Sequence, residues 1–384
     1  MEQLVITNAR VYTGHRFTPR EIFVEKGRVA QLAKRVDAPE DCPRLDLGGR
    51  RLAPGFLDIH THGGAGVDVN AATAAQLNGT IGRFFASQGT TGWLCSVLTD
   101  TPEQTLWCID QAKAAMKEQG DWAQLLGVHL EGPFLASQYK GAMPEHLLQK
   151  GSAQLFEKYE AAAEGAIKYM TVSPEVEGVP EMIRAIAGRV KVAIGHSGAD
   201  YDTAMECIEN GAVSATHTFN AMRLFHQHQP AIMGAVLESD VYCEAICDGR
   251  HLHPGSVRML LKCKGCGRVV AVTDSIMAAG LPDGNYKLGV NDVVVEDGDA
   301  KLASDGTRAG STLTTGQALK NLVKFTGEGP ETVLPLLTEN PADLLGMSRK
   351  GRIAPGCDAD FVVLDDDLSV LRTIVGGRTV YTAR

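Results

Sequence analysis

The stretch "PGFLDIHTHGGAG" (Pro54–Gly66) carries the first chemical signal in the chain. A short apolar run ends in His60 and His62, and glycines follow at once. Side chains alternate along a strand, so residues two apart project from the same face and the two imidazoles share one side of a strand end. Seven more runs of this kind follow: "GWLCS" (92–96), "LLGVHLE" (125–131), "IKYMTVS" (167–173), "VKVAIGH" (190–196), "AVSATH" (212–217), "VYCEAICD" (241–248) and "RVVAVTD" (268–274). Longer amphipathic segments lie between them, among them "PEQTLWCIDQAKAAMKEQ", opened by Pro102, and "DYDTAMECIEN", stopped by Gly211. This alternation of strand and helix predicts a parallel α/β architecture, and a (β/α)8 barrel of the TIM type is its simplest closure.

The ends of the runs say more than their middles. They finish in His60 and His62, Ser96, Glu131, Ser173, His196, His217, Asp248 and Asp274. In a barrel the C-terminal strand ends converge on one mouth, where active sites sit. Imidazole nitrogens and carboxylate oxygens suit Zn²⁺ or Fe²⁺, and three protein ligands leave a position open for water. Asp274, at the end of the eighth run, is placed to take a proton from that water and return it to a leaving group. Each residue also has a bland reading. A lone strand-end histidine is usually an ordinary polar residue, Glu131 before Gly132-Pro133 can cap a turn, and Asp274 can cap a helix over "SIMAAG". Coincidence of position favours the metal hydrolase, because burying so many ionisable groups without a metal or partners is costly. His129, two residues before Glu131 and inside its strand, points the other way, and His15, His146 and His253, in loops or turns, are read as bystanders.

The flanks read differently. Residues 1–53 and 350–384 offer short strands and turn signals, including "GG" at 376–377, and are expected to pair into one small β-sandwich domain, with residues 54–349 forming the barrel. Residues 284–306 read as a hairpin insertion after the last barrel strand. The 384 residues are 44% hydrophobic and 22% charged, as in ordinary globular proteins. A net charge of −9 argues against nucleic acid or acidic membranes as partners. No apolar run approaches the roughly 18 residues that span a bilayer, and the opening residues read as a strand, so a cytoplasmic location is expected. Nine cysteines, an odd count, are expected to be reduced thiols. The CxxC pair Cys263 and Cys266 lacks a second ligand pair and reads as a surface turn.

Taken in order, "PGFLDIHTHGG", "GVHLEGPF", "IGHSGAD", "ATHTFNAM", "ICDGRHLHP", "VTDSIMAAGLPDG", "RAGSTLT" and "GRIAPGCDADFVVLD" resemble the N-acetylglucosamine-6-phosphate deacetylases of the amidohydrolase superfamily. The resemblance implies that Glu131, His196 and His217 hold the main divalent metal. It implies a second metal on His60 and His62 bridged by Glu131, so two per chain, zinc or iron with manganese as a third option. Asp274 is then the general base and acid for deacetylation of N-acetylglucosamine 6-phosphate. The backbone at Asn220-Ala221 and the side chain of His251 map to contacts with the sugar phosphate. The resemblance also implies a homodimer whose phosphate pocket is partly completed across the interface. Two segments depart from the family pattern. "KGAM" places Met143, after Ala142, where the family commonly has a histidine that polarises the substrate carbonyl; a thioether cannot donate a hydrogen bond, so His146 or the metal takes that role or the acyl group is held differently. "HQPA" places His228 where the family has a phosphate-contacting arginine, with His226 and Arg223 nearby. These departures leave open another substrate for the same reaction: N-acetylgalactosamine 6-phosphate, an unphosphorylated N-acyl sugar, or another amide. A metal-free scaffold protein is the remaining alternative, and it should have lost ligands that this chain keeps.

Overall fold

The computed structural model describes residues 3–383. Its centre is a sheet of eight parallel strands: β1 (Phe56–Asp58), β2 (Thr90–Leu98), β3 (Gln124–Glu131), β4 (Ile167–Val172), β5 (Lys191–Ile194), β6 (Ala212–Ala215), β7 (Tyr242–Ile246) and β8 (Val269–Val272). Each pairs with the next in chain order. Every residue of β2 is buried, as expected for a parallel strand covered on both faces.

Side chains and strand ends close the ring between β1 and β8. The Thr273 amide and hydroxyl donate to the Asp58 carboxylate at 3.2 and 2.6 Å. Just beyond, the Asp274 amide donates to the His60 carbonyl at 2.8 Å and the His62 amide to the Ser275 carbonyl at 2.7 Å. Burial pushes the Asp58 carboxyl up to about 6 despite the opposing Thr273 bonds. These closing bonds place His60, His62 and Asp274 side by side although some two hundred residues of chain separate them.

Helices between the strands begin where local chemistry dictates. Pro102–Met116 starts behind Thr101, whose side chain accepts from the Gln104 amide, with Pro102 in the first turn. Tyr201–Glu209 is capped by Asp200 and ends just before Gly211, whose φ is +116. Trp93, Phe156, Tyr159 and Val192 belong to one continuous core between strands and helices.

The two termini meet in a second sheet of eight strands. Pro54 pairs with Phe361 and Leu52 with Val363, which ties the N-terminal strands to the C-terminal ones. This sheet buries its own apolar cluster, including Ile6, Ile22, Leu52, Phe361 and Ile374. The insertion after β8 differs from the expected hairpin: it is a three-stranded antiparallel meander, Gly284–Leu288, Asn291–Glu296 and Asp299–Leu302. The third strand arises because "EDGD" makes a second tight turn, with Asp297 and Gly298 both at positive φ. All nine cysteines are free; Cys263 lies in the last turn of the helix Pro254–Lys264 and Cys266 in the turn before β8. No helix among the described residues is long and apolar enough to cross a membrane.

Candidate active site

Six ionisable side chains converge just past the C-terminal strand ends, all at most 7% exposed. His60, His62 and Asp274 bring ligand atoms within 4.8 Å of one another, and so do Glu131, His196 and His217. Glu131 lies between the two triplets. Its Oε1 is 3.3 Å from His60 Nε2, 3.2 Å from His196 Nε2 and 3.4 Å from His217 Nε2, while its Oε2 is 3.1 Å from His62 Nε2. His62 Nε2 also lies 3.2 Å from Asp274 Oδ1. His196, His217 and Asp274 hold φ of 48, 29 and 49°, the sparsely populated left-handed region for residues with a Cβ. The chain turns sharply as each strand ends, and these turns carry the side chains over the barrel axis.

The imidazoles are aimed from behind. His60 Nδ1 donates to Glu244 Oε2 at 2.8 Å, His62 Nδ1 to the Ser96 carbonyl at 2.9 Å, and His196 Nδ1 to the Tyr139 carbonyl at 2.7 Å. Carboxylates and carbonyls only accept, so these partners keep the proton on Nδ1 and leave a lone pair on each Nε2. The Nε2 atoms face one another: His60 and His62 Nε2 are 3.3 Å apart, and His196 Nε2 is 2.9 Å from that of His217, whose Nδ1 has no partner. Lone pairs do not approach so closely unless a cation or proton lies among them. Tetrahedral ligands about 2.1 Å from a Zn²⁺ ion stand roughly 3.4 Å from one another. Donor type, spacing and second-layer hydrogen bonding therefore fit a divalent cation beside His60 and His62, with Glu131 and Asp274 both within reach as the third donor, and another at Glu131, His196 and His217.

The electrostatics agree. Burial alone would lower the His60 and His62 imidazoles, but the surrounding carboxylates override it: His60 is held well above its usual range by Glu244, Glu131 and Asp274, and His62 is raised to about 9 by Asp274 and Glu131. Burial would raise the Asp274 carboxyl, yet the imidazoles of His60 and His62 hold it below its ordinary value. Glu131 is likewise held well down, by His60, His196 and His217 against the burial penalty. Among the described residues every ion-pair partner of Glu131 and Asp274 is a histidine, so the cluster calls for positive charge that no lysine or arginine among them supplies.

A cavity of about 320 Å³ opens above the cluster, with His62, Glu131, His196, His217 and Asp274 as its floor. Its walls include Ala142, Met143, Asn220, Ala221 and His251. Met143 is buried in an apolar cluster with Leu98, Ile276, Leu288 and Ala309, and the meander supplies Leu288. His251 Nδ1 donates to Asp248 Oδ2 at 2.7 Å, so the Asp248 that ends its sequence run orients the His251 ring. Ser96 and Ser173 also act as supports: the Ser173 hydroxyl sits 2.7 Å from the His196 carbonyl, and the Ser96 hydroxyl accepts from the Thr61 amide. In the "RAGS" segment Gly310 has φ +61, and a Cβ there would fall 2.5 Å from Ile276 and 2.9 Å from the Asp274 carbonyl. Only glycine lets this loop lie against Asp274 while the Ser311 amide donates to the same carbonyl at 2.7 Å.

His228 is not among the residues lining this cavity. It borders a separate surface groove with Asp200, Arg223 and Glu238, on a loop that leaves Leu224 79% and Phe225 57% exposed. His129 shares the interior face with Glu131 by the two-residue period. It sits against His60, bracketed by the hydroxyls of Ser96 and Thr171, and belongs to neither triplet. His253 caps the helix that follows it.

Two residues escape the sequence reading. Arg308 is the sole lysine or arginine lining the cavity among the described residues, and Asp299 on the meander fixes it with bonds of 2.8 and 3.0 Å. Only the meander's third strand brings Asp299 to it, so no periodicity signals the pair. Glu244 lies within "CEAIC", where an acidic residue inside an otherwise apolar strand was the available signal.

The sequence pattern of the Amidohydrolase family matches residues 51–380. N-acetylglucosamine-6-phosphate deacetylase of Lysinibacillus sphaericus is 33% identical over 378 residues, covering 98% of this chain and 97% of that protein. The human protein of the same name is 35% identical over 399 residues, covering 99% and 96%. Among solved structures, the Pasteurella multocida deacetylase superposes with a TM-score of 0.93 at 28% identity, over 99% of this chain and all of that one. A mutant deacetylase from Mycobacterium smegmatis, in complex with N-acetyl-D-glucosamine-6-phosphate, superposes at 0.91 with 31% identity over the full length of both chains. The chain thus belongs to the amidohydrolase family and, within it, to the N-acetylglucosamine-6-phosphate deacetylases.

Proposed function

We propose that this chain hydrolyses the acetamide of N-acetylglucosamine 6-phosphate, releasing acetate and glucosamine 6-phosphate. The observation that carries the reading is the meeting of Asp274 with His60, His62, Glu131, His196 and His217 on the floor of one cavity. His60, His62 and Glu131 are assigned one divalent cation, and Glu131, His196 and His217 the other, with zinc or iron the metals best suited to the donor set and manganese a third. A cation held there supplies Lewis acidity, lowering the pKa of water toward 7 and drawing electron density from the amide carbonyl. Asp274, kept unprotonated by the imidazoles beside it, accepts a proton from the attacking water. The water oxygen bonds to the acyl carbon, the C–N bond breaks, and Asp274 delivers its proton to the departing amine. Leu98, Met143 and Leu288 form an apolar wall suited to the acetyl methyl, next to Ala142. Asn220, Ala221, His251 and Arg308 are assigned to the sugar and its phosphate.

The same reading takes the chain to be a cytoplasmic homodimer. Nine free thiols suit a reducing compartment. The exposed Leu224 and Phe225 beside His228 suit a contact through which that histidine reaches a partner's phosphate site. A second reading keeps the mechanism and changes the sugar, to N-acetylgalactosamine 6-phosphate or an unphosphorylated N-acyl sugar. Met143 favours it, since the carbonyl loses a side-chain donor there. Acetate release from the three sugars by metal-loaded protein separates the readings. Preference for N-acetylglucosamine 6-phosphate is expected; turnover of only another amide overturns the substrate while keeping the reaction.

A further inference from the structure

Glu244 lies in the middle of β7, fully buried, and belongs to neither ligand triplet. One of its oxygens does two jobs. Oε2 accepts from His60 Nδ1 at 2.8 Å and from the His217 backbone amide at 2.9 Å, so it touches an imidazole of one triplet and the main chain of the other. Its second oxygen, Oε1, is buried and makes no hydrogen bond of normal length, and the equally buried, unbonded Tyr169 hydroxyl lies close enough that burial and this carboxylate together push its pKa up. As a purely structural choice this is poor, because a desolvated carboxylate oxygen left unpaired is costly and a neutral acceptor would serve both bonds.

The carboxylate is explained by what it does to the ring in front of it. A carboxylate behind a ligating imidazole fixes the tautomer, orients the ring and raises the basicity of the far nitrogen. His62 and His196 are backed by carbonyl oxygens, and His217 Nδ1 has no partner at all. His60 alone among the four is backed by a carboxylate. We propose that Glu244 is a positioning residue that holds His60 with its proton on Nδ1 and thereby makes the His60/His62 side of the cluster a competent cation site. The proposal rests on the two-metal reading above.

The test is Co²⁺ titration of the full chain after chelation, for wild type, Glu244→Gln and Glu244→Val, reading bound equivalents and the visible Co²⁺ absorption. Thermal unfolding of the cation-free proteins is measured in parallel. The glutamine keeps an amide oxygen for both hydrogen bonds but removes the charge, so it is expected to bind two equivalents, the second about 10- to 100-fold more weakly. The valine keeps neither bond and is expected to bind one. Two equivalents at unchanged affinity in both variants overturn the assignment of Glu244, and so does a fall in unfolding temperature with no change in cobalt uptake. A wild-type chain that binds one equivalent overturns the two-metal reading and this assignment with it.

Discussion

Charge is buried at both ends of the barrel, and the two ends treat it in opposite ways. At the N-terminal end, beside the start of β3, the Lys350 ammonium donates to Asp360 at 2.6 Å, to Gln124 at 3.0 Å and contacts Asp358 at 3.1 Å. The other Asp360 oxygen accepts from the Gly376 amide. Three donors meet three acceptors, and burial is outweighed by Asp360 and Asp358, which raise the ammonium pKa. At the mouth, four imidazole Nε2 atoms crowd against two carboxylates and one another. The roomier groove, about 480 Å³, lies at the satisfied end, and the histidine–carboxylate cluster underlies the smaller cavity. Neither volume nor buried charge distinguishes a working site from a structural one here. Hydrogen-bond arithmetic does: a closed set of donors and acceptors holds the fold together, and an open set awaits a ligand.

The sharpest way to break that contrast is at Asp274. Asp274→Asn keeps the size of the side chain and removes its capacity to carry a proton. Its kcat is expected to fall by roughly 100- to 10,000-fold, with cation uptake at Glu131, His196 and His217 retained. Steady-state rates beside metal content check this. A variant within a few-fold of wild type would remove Asp274 from the proton path. At the other end, Lys350→Met leaves two aspartates facing each other without their cation. Breaking one side of a buried ion pair costs about 3–5 kcal/mol, so denaturant unfolding should show a loss of that size. The cobalt uptake and KM of the folded fraction should match wild type, because Lys350 borders the N-terminal groove and not the cavity. A catalytic loss larger than the stability loss would mean the two ends are coupled.

The mouth was legible in the sequence because its chemistry is local. Each floor residue ends or follows a strand run within a few positions, and barrel geometry gathers the rest. The left-handed turns that aim His196, His217 and Asp274 left no trace, since none is a glycine. Glu244 was hidden by its apolar neighbours, and Arg308 by its dependence on a third strand where the pattern suggested two. His228 shows the limit of mapping by motif: its place in "HQPA" is clear, while its loop runs outward along a different groove. Floor residues answer to strand period, whereas rim residues answer to loop conformations that period does not encode.

Arg308 gives the finest test, because it borders the catalytic cavity yet is itself closed on one side. The Arg308–Asp299 bond holds the Asp299 carboxyl down at about 2, so the pair stays ionised through the neutral range. Two of the guanidinium's five N–H groups go to Asp299 and a third to the Arg250 carbonyl at 3.3 Å, which leaves two for a ligand. Arg250 sits next to His251, whose ring is already oriented toward the same wall. A fixed fork with two free donors suits a phosphate oxygen. Arg308→Met should therefore raise KM for the 6-phosphorylated sugar by about 10- to 100-fold, the worth of one or two hydrogen bonds to a charged group, with kcat little changed. KM for the unphosphorylated sugar should stay put. Arg308→Lys keeps the charge without the fork and should recover part of the loss. Equal rises for both sugars would instead make Arg308 a wall of the cavity, and the phosphate would then be left to Asn220, Ala221 and His251, with His228 of the partner subunit in the dimer.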